Sequence, residues 1–293
     1  MEFMQFIKTE LNDKWDWFVE NSPQGSIFST STFLLATGYE VDAYYVMKGL
    51  QKIAAFVCVV ENGNIIQAPH VIHSGIMFGK WNNKNTAQIN AIQFEVTEFI
   101  VEQITQKYKE IYFNLHPEII DIRPFSWYNY HNEGRKFRID IRYTSFIDEP
   151  SILDLNTSRK QAICQTGYFT TEEYYPQHLC MLYAAQNGDE NIDKMFNIMQ
   201  ALHIKDMLKM YVTRYCGQLG NVIAFSTYKD TATALYSAGK MAECASAGLW
   251  WAICSLENPI VNLEGINSPK RGAFKLSFGG SVTPYYQVKL CQN

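Results

Sequence analysis

The residue types best suited to chemistry gather in residues 261–280, VNLEGINSPKRGAFKLSFGG. Val261, Leu263 and their neighbours read as a short strand, apolar enough to be half or fully buried. Glu264 closes it, and Gly265 follows at once. Asn267, Ser268, Pro269, Lys270, Arg271 and Gly272 have the composition of an exposed turn. Phe274 and Lys275 come next, and then Phe278, Gly279 and Gly280. A carboxylate closing a strand, a lysine between two aromatics and a glycine pair suit ligand binding. Residues 265–293 hold no Asp or Glu, whereas Lys270, Arg271, Lys275 and Lys289 are cationic. In a chain of formal net charge −4 such a segment attracts phosphate or carboxylate, although a solvated loop with scattered lysines has the same composition.

A second constellation is Asp121-Ile122-Arg123-Pro124-Phe125-Ser126-Trp127. Arg123 can grip a carboxylate or phosphate with two parallel hydrogen bonds, and Trp127 offers a flat apolar surface beside it. The alternative is an arginine that pins a loop by bonding backbone carbonyls. His70 and His73 are spaced like metal ligands, but no third ligand is near in sequence, so ordinary loop or strand histidines are the reading and no metal is expected. The turn at Gly79 leads into a helix and could cradle phosphate on free N–H groups, a weak signal with no P-loop pattern.

The elements that must carry these residues follow from periodicity. At 293 residues with 47% hydrophobic and 18% charged side chains, the chain is globular and large enough for two domains. The expected division is 1–150 and 151–293. Seven dispersed cysteines, at 58, 164, 180, 216, 244, 254 and 291, include no C-x-x-C pair; an odd, scattered set fits a reducing cytoplasm. No apolar run approaches the ~20 residues that cross a bilayer. In the first half a short helix carries Trp15, Trp17, Phe18 and Val19, strands are expected at 42–47 and 53–60, and a helix capped by Asn85 or Thr86 runs to Lys107. Ile89, Ile92, Val96, Phe99, Ile100 and Ile104 give that helix its buried face. A buried strand follows at 111–115. In the second half helices are expected over 172–185 and 189–203, three strands at 208–215, 222–227 and 231–236, a helix at 245–256, and then the Val261 strand.

The run E-G-I-N…G-A-F-K-L-S-F-G-G resembles the C-terminal signature of the FemAB-type acyltransferases of the GNAT superfamily. The pattern W-x-x-F-V…G-S-x-F at 15–28 and the D-x-R-P-F-x-W run at 121–127 resemble other parts of that family, and Arg159, Lys160 and Ile163 resemble its basic helix. The resemblance reaches from the Trp15 region to Gly280. It implies an α+β fold of two tandem GNAT-like domains, each a mixed, mainly antiparallel sheet flanked by helices, with two strands splayed to leave backbone amides for an acyl donor's pyrophosphate.

By the same resemblance the protein is an N-acyltransferase, in which an amine attacks an activated carbonyl. Lys275 would steady the oxyanion or bind donor phosphate, and Phe274 would wall the channel. Glu264 would hold or deprotonate the amine, unless it merely pins the loop. Tyr236 would line the acceptor site, Arg123 and Trp127 would bind an anionic part of the acceptor, and Gly239 would sit at the donor. Relatives suggest acyl-CoA or aminoacyl-tRNA as co-substrate; the acidic net charge and the lack of a long helical hairpin favour acyl-CoA over tRNA. The acceptor would be a small or sugar-linked amine, in cell-envelope or polysaccharide synthesis. A GNAT fold that binds without turnover is the competing class; a nucleic-acid module lacks the basic, aromatic-interleaved face it needs.

Overall fold

The computed structural model describes residues 3–164 and 167–290, with residues 242 and 243 described as helix backbone alone. Cys291 lies outside the described residues. The chain forms two compact units: Met1–Arg142 with Pro284–Asn293, and Tyr143–Thr283. The expected division at 150/151 therefore falls inside the second unit, and the last residues of the chain belong to the first.

The first unit contains β1 (Met4–Thr9), α1 (Asp13–Asn21), α2 (Ser31–Ala36), β2 (Glu40–Lys48), β3 (Gln51–Glu61), β4 (Asn64–Ile66), β5 (Gly75–Phe78), α3 (Thr86–Lys107), β6 (Ile111–Asn114) and α4 (Arg123–Ser126). Strands β1, β2 and β3 form an antiparallel meander. Both β4 and β5 run antiparallel to β3, on Val59–Glu61 and Ala54–Val57 respectively, and residues 67–74 loop out between them. That loop is tied to β6 through Asn114, whose N–H donates to Gln67 Oε1 at 2.8 Å and whose side-chain amide donates to the Ile72 carbonyl at 3.0 Å. Helix α3 starts where the sequence places it. Asn85 caps the Gln88 N–H while the Gln88 side chain caps Asn85 in return, which satisfies two of the orphan donors of a helix start. Val96, Ile100 and Ile104, one helical turn apart, are fully buried against Phe56 and Phe113 in the core of this unit.

The second unit begins within β7 (Arg138–Asp148) and continues through α5 (Thr157–Ile163), β8 (Tyr168–Glu172), α6 (Pro176–Asn187), α7 (Ile192–Ile204), β9 (Leu208–Tyr215), β10 (Gln218–Tyr228), β11 (Thr231–Gly239), α8 (Ala242–Ser255), β12 (Ile260–Asn262) and α9 (Pro269–Leu276). Its strand order is β7-β12-β11-β10-β9-β8. Strands β8 to β11 are antiparallel, and β12 runs parallel to β11 and antiparallel to β7. The last strand, β13 (Ser281–Leu290), pairs antiparallel with β6 through residues 287–290. Val288 and Leu290 are fully buried in the core of the first unit.

Three sequence expectations change. Residues 172–175 are not helical: Glu172 ends β8, opposite Tyr211, and α6 starts only at Pro176, which is well placed in a first turn because it lacks an N–H that would need a partner. The expected turn at 267–272 holds the start of α9, again with proline at its first position. Strands β1, β7 and β13 were not expected; β7 reads RIDIRYTSFID, and its many charged and hydroxyl residues mask its alternation. Among the described residues no helix is long and apolar enough to cross a membrane.

Candidate functional site

Strand β12 pairs with β11 only over Thr231–Thr233, opposite Ile260–Asn262. Beyond that point β11 continues to Gly239 without a partner from β12. Just past that point a bulge at Leu235 of β11, between the Ala224–Tyr236 and Phe225–Ala234 pairs, is of the kind that adds local twist. The pairing of the two parallel strands ends with β12 at Asn262, and Glu264 lies just past that end.

Glu264 is fixed from several sides. Its backbone is left-handed, φ +62°, a conformation that non-glycine residues seldom adopt and that collects at functional sites. Its N–H donates to Asn262 Oδ1 at 2.8 Å, and the Asn262 amide donates to Glu264 Oε1 at 2.9 Å. The Thr144 hydroxyl donates to the same Asn262 oxygen at 2.8 Å, which sets the orientation of the Asn262 amide. Tyr143 then stitches the following loop to β7, with its N–H on Asn267 Oδ1 at 2.8 Å and its carbonyl accepting from Ile266 N at 3.0 Å. Glu264 itself is 7% exposed, and its second carboxylate oxygen, Oε2, is buried without a hydrogen-bond partner among the described residues. Burial pushes its carboxyl up to about 7, against the pull of Lys275.

Lys275 projects from α9, with its ammonium donating to the Gly265 carbonyl at 3.2 Å. Burial lowers it to about 8, Glu264 opposes that shift, and Arg271 adds to it. The two side chains interact through space without forming an ion pair of 4 Å or less. Burial thus brings a base and an acid, both shifted towards the neutral pH range, to one point of the fold. Strongly shifted groups of this kind concentrate at active sites.

Around this pair, Phe274 stacks edge-on to Phe278 at 5.3 Å, and the Arg159 guanidinium of α5 lies over both rings at 4.8 and 5.6 Å. Arg159 donates to the Ser277 hydroxyl at 2.8 Å and to that of Ser246 on α8. Phe274 is thus half-buried beneath Arg159. Gly239, at the end of β11, leaves no room for a side chain: a Cβ there would sit 2.5 Å from the Gly220 carbonyl oxygen. Tyr236 is buried on β11 and meets Tyr183 of α6 edge-on at 6.4 Å.

Glu264, Lys275, Phe274, Tyr236 and Gly239 all fall within the second unit. Arg123 and Trp127 fall within the first. Arg123 makes a bidentate pair with Asp121, Nε to Oδ1 at 2.8 Å and Nη2 to Oδ2 at 2.6 Å, and lies 5.4 Å from the Trp127 ring. Its fork is committed to a neighbouring carboxylate, a partner that the sequence reading had not assigned. Asn262, Thr144 and Arg159 are the site's supporting residues that sequence reasoning did not single out for a role. Asn262 and Glu264 carry the one available signal, two polar side chains at the i, i+2 spacing of a single strand face within an otherwise apolar V-N-L-E segment. Among the described residues no cluster of His, Cys, Asp and Glu could hold a metal ion.

No family model and no curated protein matches the sequence. Solved structures do. FemX matches with a TM-score of 0.58 at 10% identity, over 95% of this chain and 96% of its own. A tandem GNAT protein from the clavulanic acid biosynthesis pathway matches with a TM-score of 0.55 at 10% identity, over 99% and 98%. The C-terminal domain of a putative lysylphosphatidylglycerol synthetase from Agrobacterium fabrum matches with a TM-score of 0.57 at 10% identity, over 95% and 90%. The fold is α+β, two tandem GNAT-like domains in the FemAB manner.

Proposed function

We propose that the protein is an N-acyltransferase that moves an acyl group from an activated donor, acyl-CoA in preference to aminoacyl-tRNA, to an amine of a small or sugar-linked acceptor. The observation that carries this reading is the buried Glu264–Lys275 pair just past the end of the β11–β12 pairing. An amine arrives protonated and must lose a proton before its lone pair can attack; a carboxylate raised towards neutrality is suited to take it. The new C–N bond places charge on the carbonyl oxygen, and a nearby, partly desolvated ammonium is suited to stabilise that charge. Collapse of the tetrahedral intermediate breaks the C–S bond and releases CoA as a thiolate, which takes up a proton. The tandem GNAT neighbour, described as the form without AcCoA, and the acidic net charge of −4 support an acyl-CoA donor over a polyanionic RNA. The open edge of β11, followed by Gly239 and the α8 start, where Met241 provides no side-chain cap, is the stretch assigned to the donor's pyrophosphate.

Calorimetric titration with acetyl-CoA and longer acyl-CoAs tests the reading. Micromolar binding is expected, weakened at least tenfold in Lys275→Ala. Failure of every acyl-CoA to bind the wild-type protein removes the CoA-dependent version and moves aminoacyl-tRNA or a non-catalytic role to the front.

A further inference from the structure

The second unit holds a cation that no carboxylate answers. Arg159 of α5 is half-buried, and among the described residues it forms no ion pair of 4 Å or less. A guanidinium offers five N–H donors. Its Nε donates to the Ser277 hydroxyl at 2.8 Å, and its Nη1 donates to the Ser246 hydroxyl. Both serines are buried. The Ser277 hydroxyl donates onward to the Phe274 carbonyl at 2.6 Å, so it keeps its lone pairs for Arg159. Nη2 has no partner among the described residues and is not sealed from solvent. Both of its N–H bonds are therefore open to a ligand.

The guanidinium is also fixed in place. It lies over Phe274 and Phe278, and hydroxyls from α8 and from the end of α9 hold it there. A cation held in this way loses little further freedom when an anion binds it. Burial lowers Arg159 below the ordinary arginine range, a cost that a neighbouring anion offsets. Further positive charge lies on the same face of α9. Lys270 and Arg271 precede Phe274 by four and three residues, which places them beside it at ~5.4 Å along the helix, one turn away. Both are exposed, and neither forms an ion pair of 4 Å or less among the described residues. Arg271 is close enough to help lower Lys275.

We propose that Arg159, Lys270 and Arg271 form a subsite for linked phosphate groups of a small ligand, one phosphate at Arg159 Nη2 and the next towards the first turn of α9. Charge-assisted bonds from a preset guanidinium suit phosphate oxygens, and a single carboxylate could answer only one of the three cations. The net charge of −4 opposes a nucleic-acid strand as the ligand. The subsite uses no backbone amide of the α8 start, and no acyl group need be transferred for it to fill.

The test uses the full chain labelled with ¹⁵N-arginine and reads the Arg159 Nε–Hε resonance, assigned by its loss in Arg159→Lys. Pyrophosphate, inorganic phosphate and acetate are titrated at one ionic strength, set with chloride. Pyrophosphate is expected to shift the resonance saturably and to bind roughly tenfold or more tighter than phosphate or acetate. Arg271→Ala, a change at an exposed side chain, is expected to weaken the pyrophosphate response several-fold. Lys84→Ala, at an exposed position of the first unit, is expected to leave it unchanged. ADP and glucose 1,6-bisphosphate then separate a nucleotide-bearing ligand from a phosphorylated sugar, and a saturable shift with either supports the subsite. No saturable shift with pyrophosphate, an equal response to acetate, a response unchanged in Arg271→Ala, or tighter binding of a single-stranded oligonucleotide at Arg159 would overturn the proposal.

Discussion

Burial drives both Glu264 and Lys275 towards their neutral forms, and each holds the other back. If Glu264 is the base and Lys275 the cation that meets the oxyanion, activity needs the first deprotonated and the second protonated. The kcat/KM profile is then expected to rise through about 7 and fall above about 8, a narrow bell. Glu264→Gln removes the rising limb and lowers the rate by ~10²–10⁴-fold, the usual contribution of a positioned proton acceptor. Stability runs the other way. A carboxyl raised in the fold binds its proton more tightly than in the unfolded chain, so stability falls as pH rises from the ordinary carboxylate range to about 7. A lowered ammonium has the complementary effect, restoring stability as pH rises above about 8. The glutamine variant, which keeps an oxygen for the Asn262 amide, should therefore melt no lower than wild type near neutral pH; calorimetric scans against rate measurements separate the two effects.

Among the elements, α8 sits closely on β9. A Cβ on its Gly248 would lie 2.1 Å from Thr213 Oγ1 and 3.0 Å from Thr213 Cβ on β9, and Thr213 is fully buried. Gly248→Val is expected to cost ~1–3 kcal/mol, the range for overpacking a well-filled interior, seen as a lower denaturant midpoint with the slope unchanged. That closeness was not visible in A-S-A-G-L-W-W, where the glycine looks like a weak point in a helix. What could be read from sequence was whatever repeats. The Ile and Val spacing of α3, its Asn85 cap and the β9–β11 meander all follow from short-range pattern. Glu264 and Lys275 were legible as residues because their motif is contiguous. Their setting was not: Thr144 and Arg159 join the site only through the approach of distant segments, and for Asn262 the i, i+2 polar pair with Glu264 was the sole local hint. Strands β7 and β13 were missed because their polar and proline-bearing sequences give no clean alternation.

At the level of the whole molecule, the chain leaves the first unit within β7 and returns to it through β13. The first unit is thus discontinuous in sequence, and its core includes Val288 and Leu290, far along the chain from its other core residues. Deleting residues 284–293 is expected to unmask Ile111 and Phe113 on β6 and to lower the melting temperature of the first unit while leaving the acyl-CoA affinity proposed for the second within a few-fold of that of the full chain. Hydrogen exchange read segment by segment distinguishes that outcome from loss of both units together, which would show that folding is shared.

The left-handed backbone at Glu264 has an evolutionary corollary. Glycine is the residue that relaxes such a conformation, and it would also spare the protein a buried carboxylate; selection for robustness alone would erase the glutamate. Its persistence at that position in a working lineage would therefore record a demand unrelated to folding, and a glycine there in a descendant would mark a scaffold without the proton acceptor proposed above.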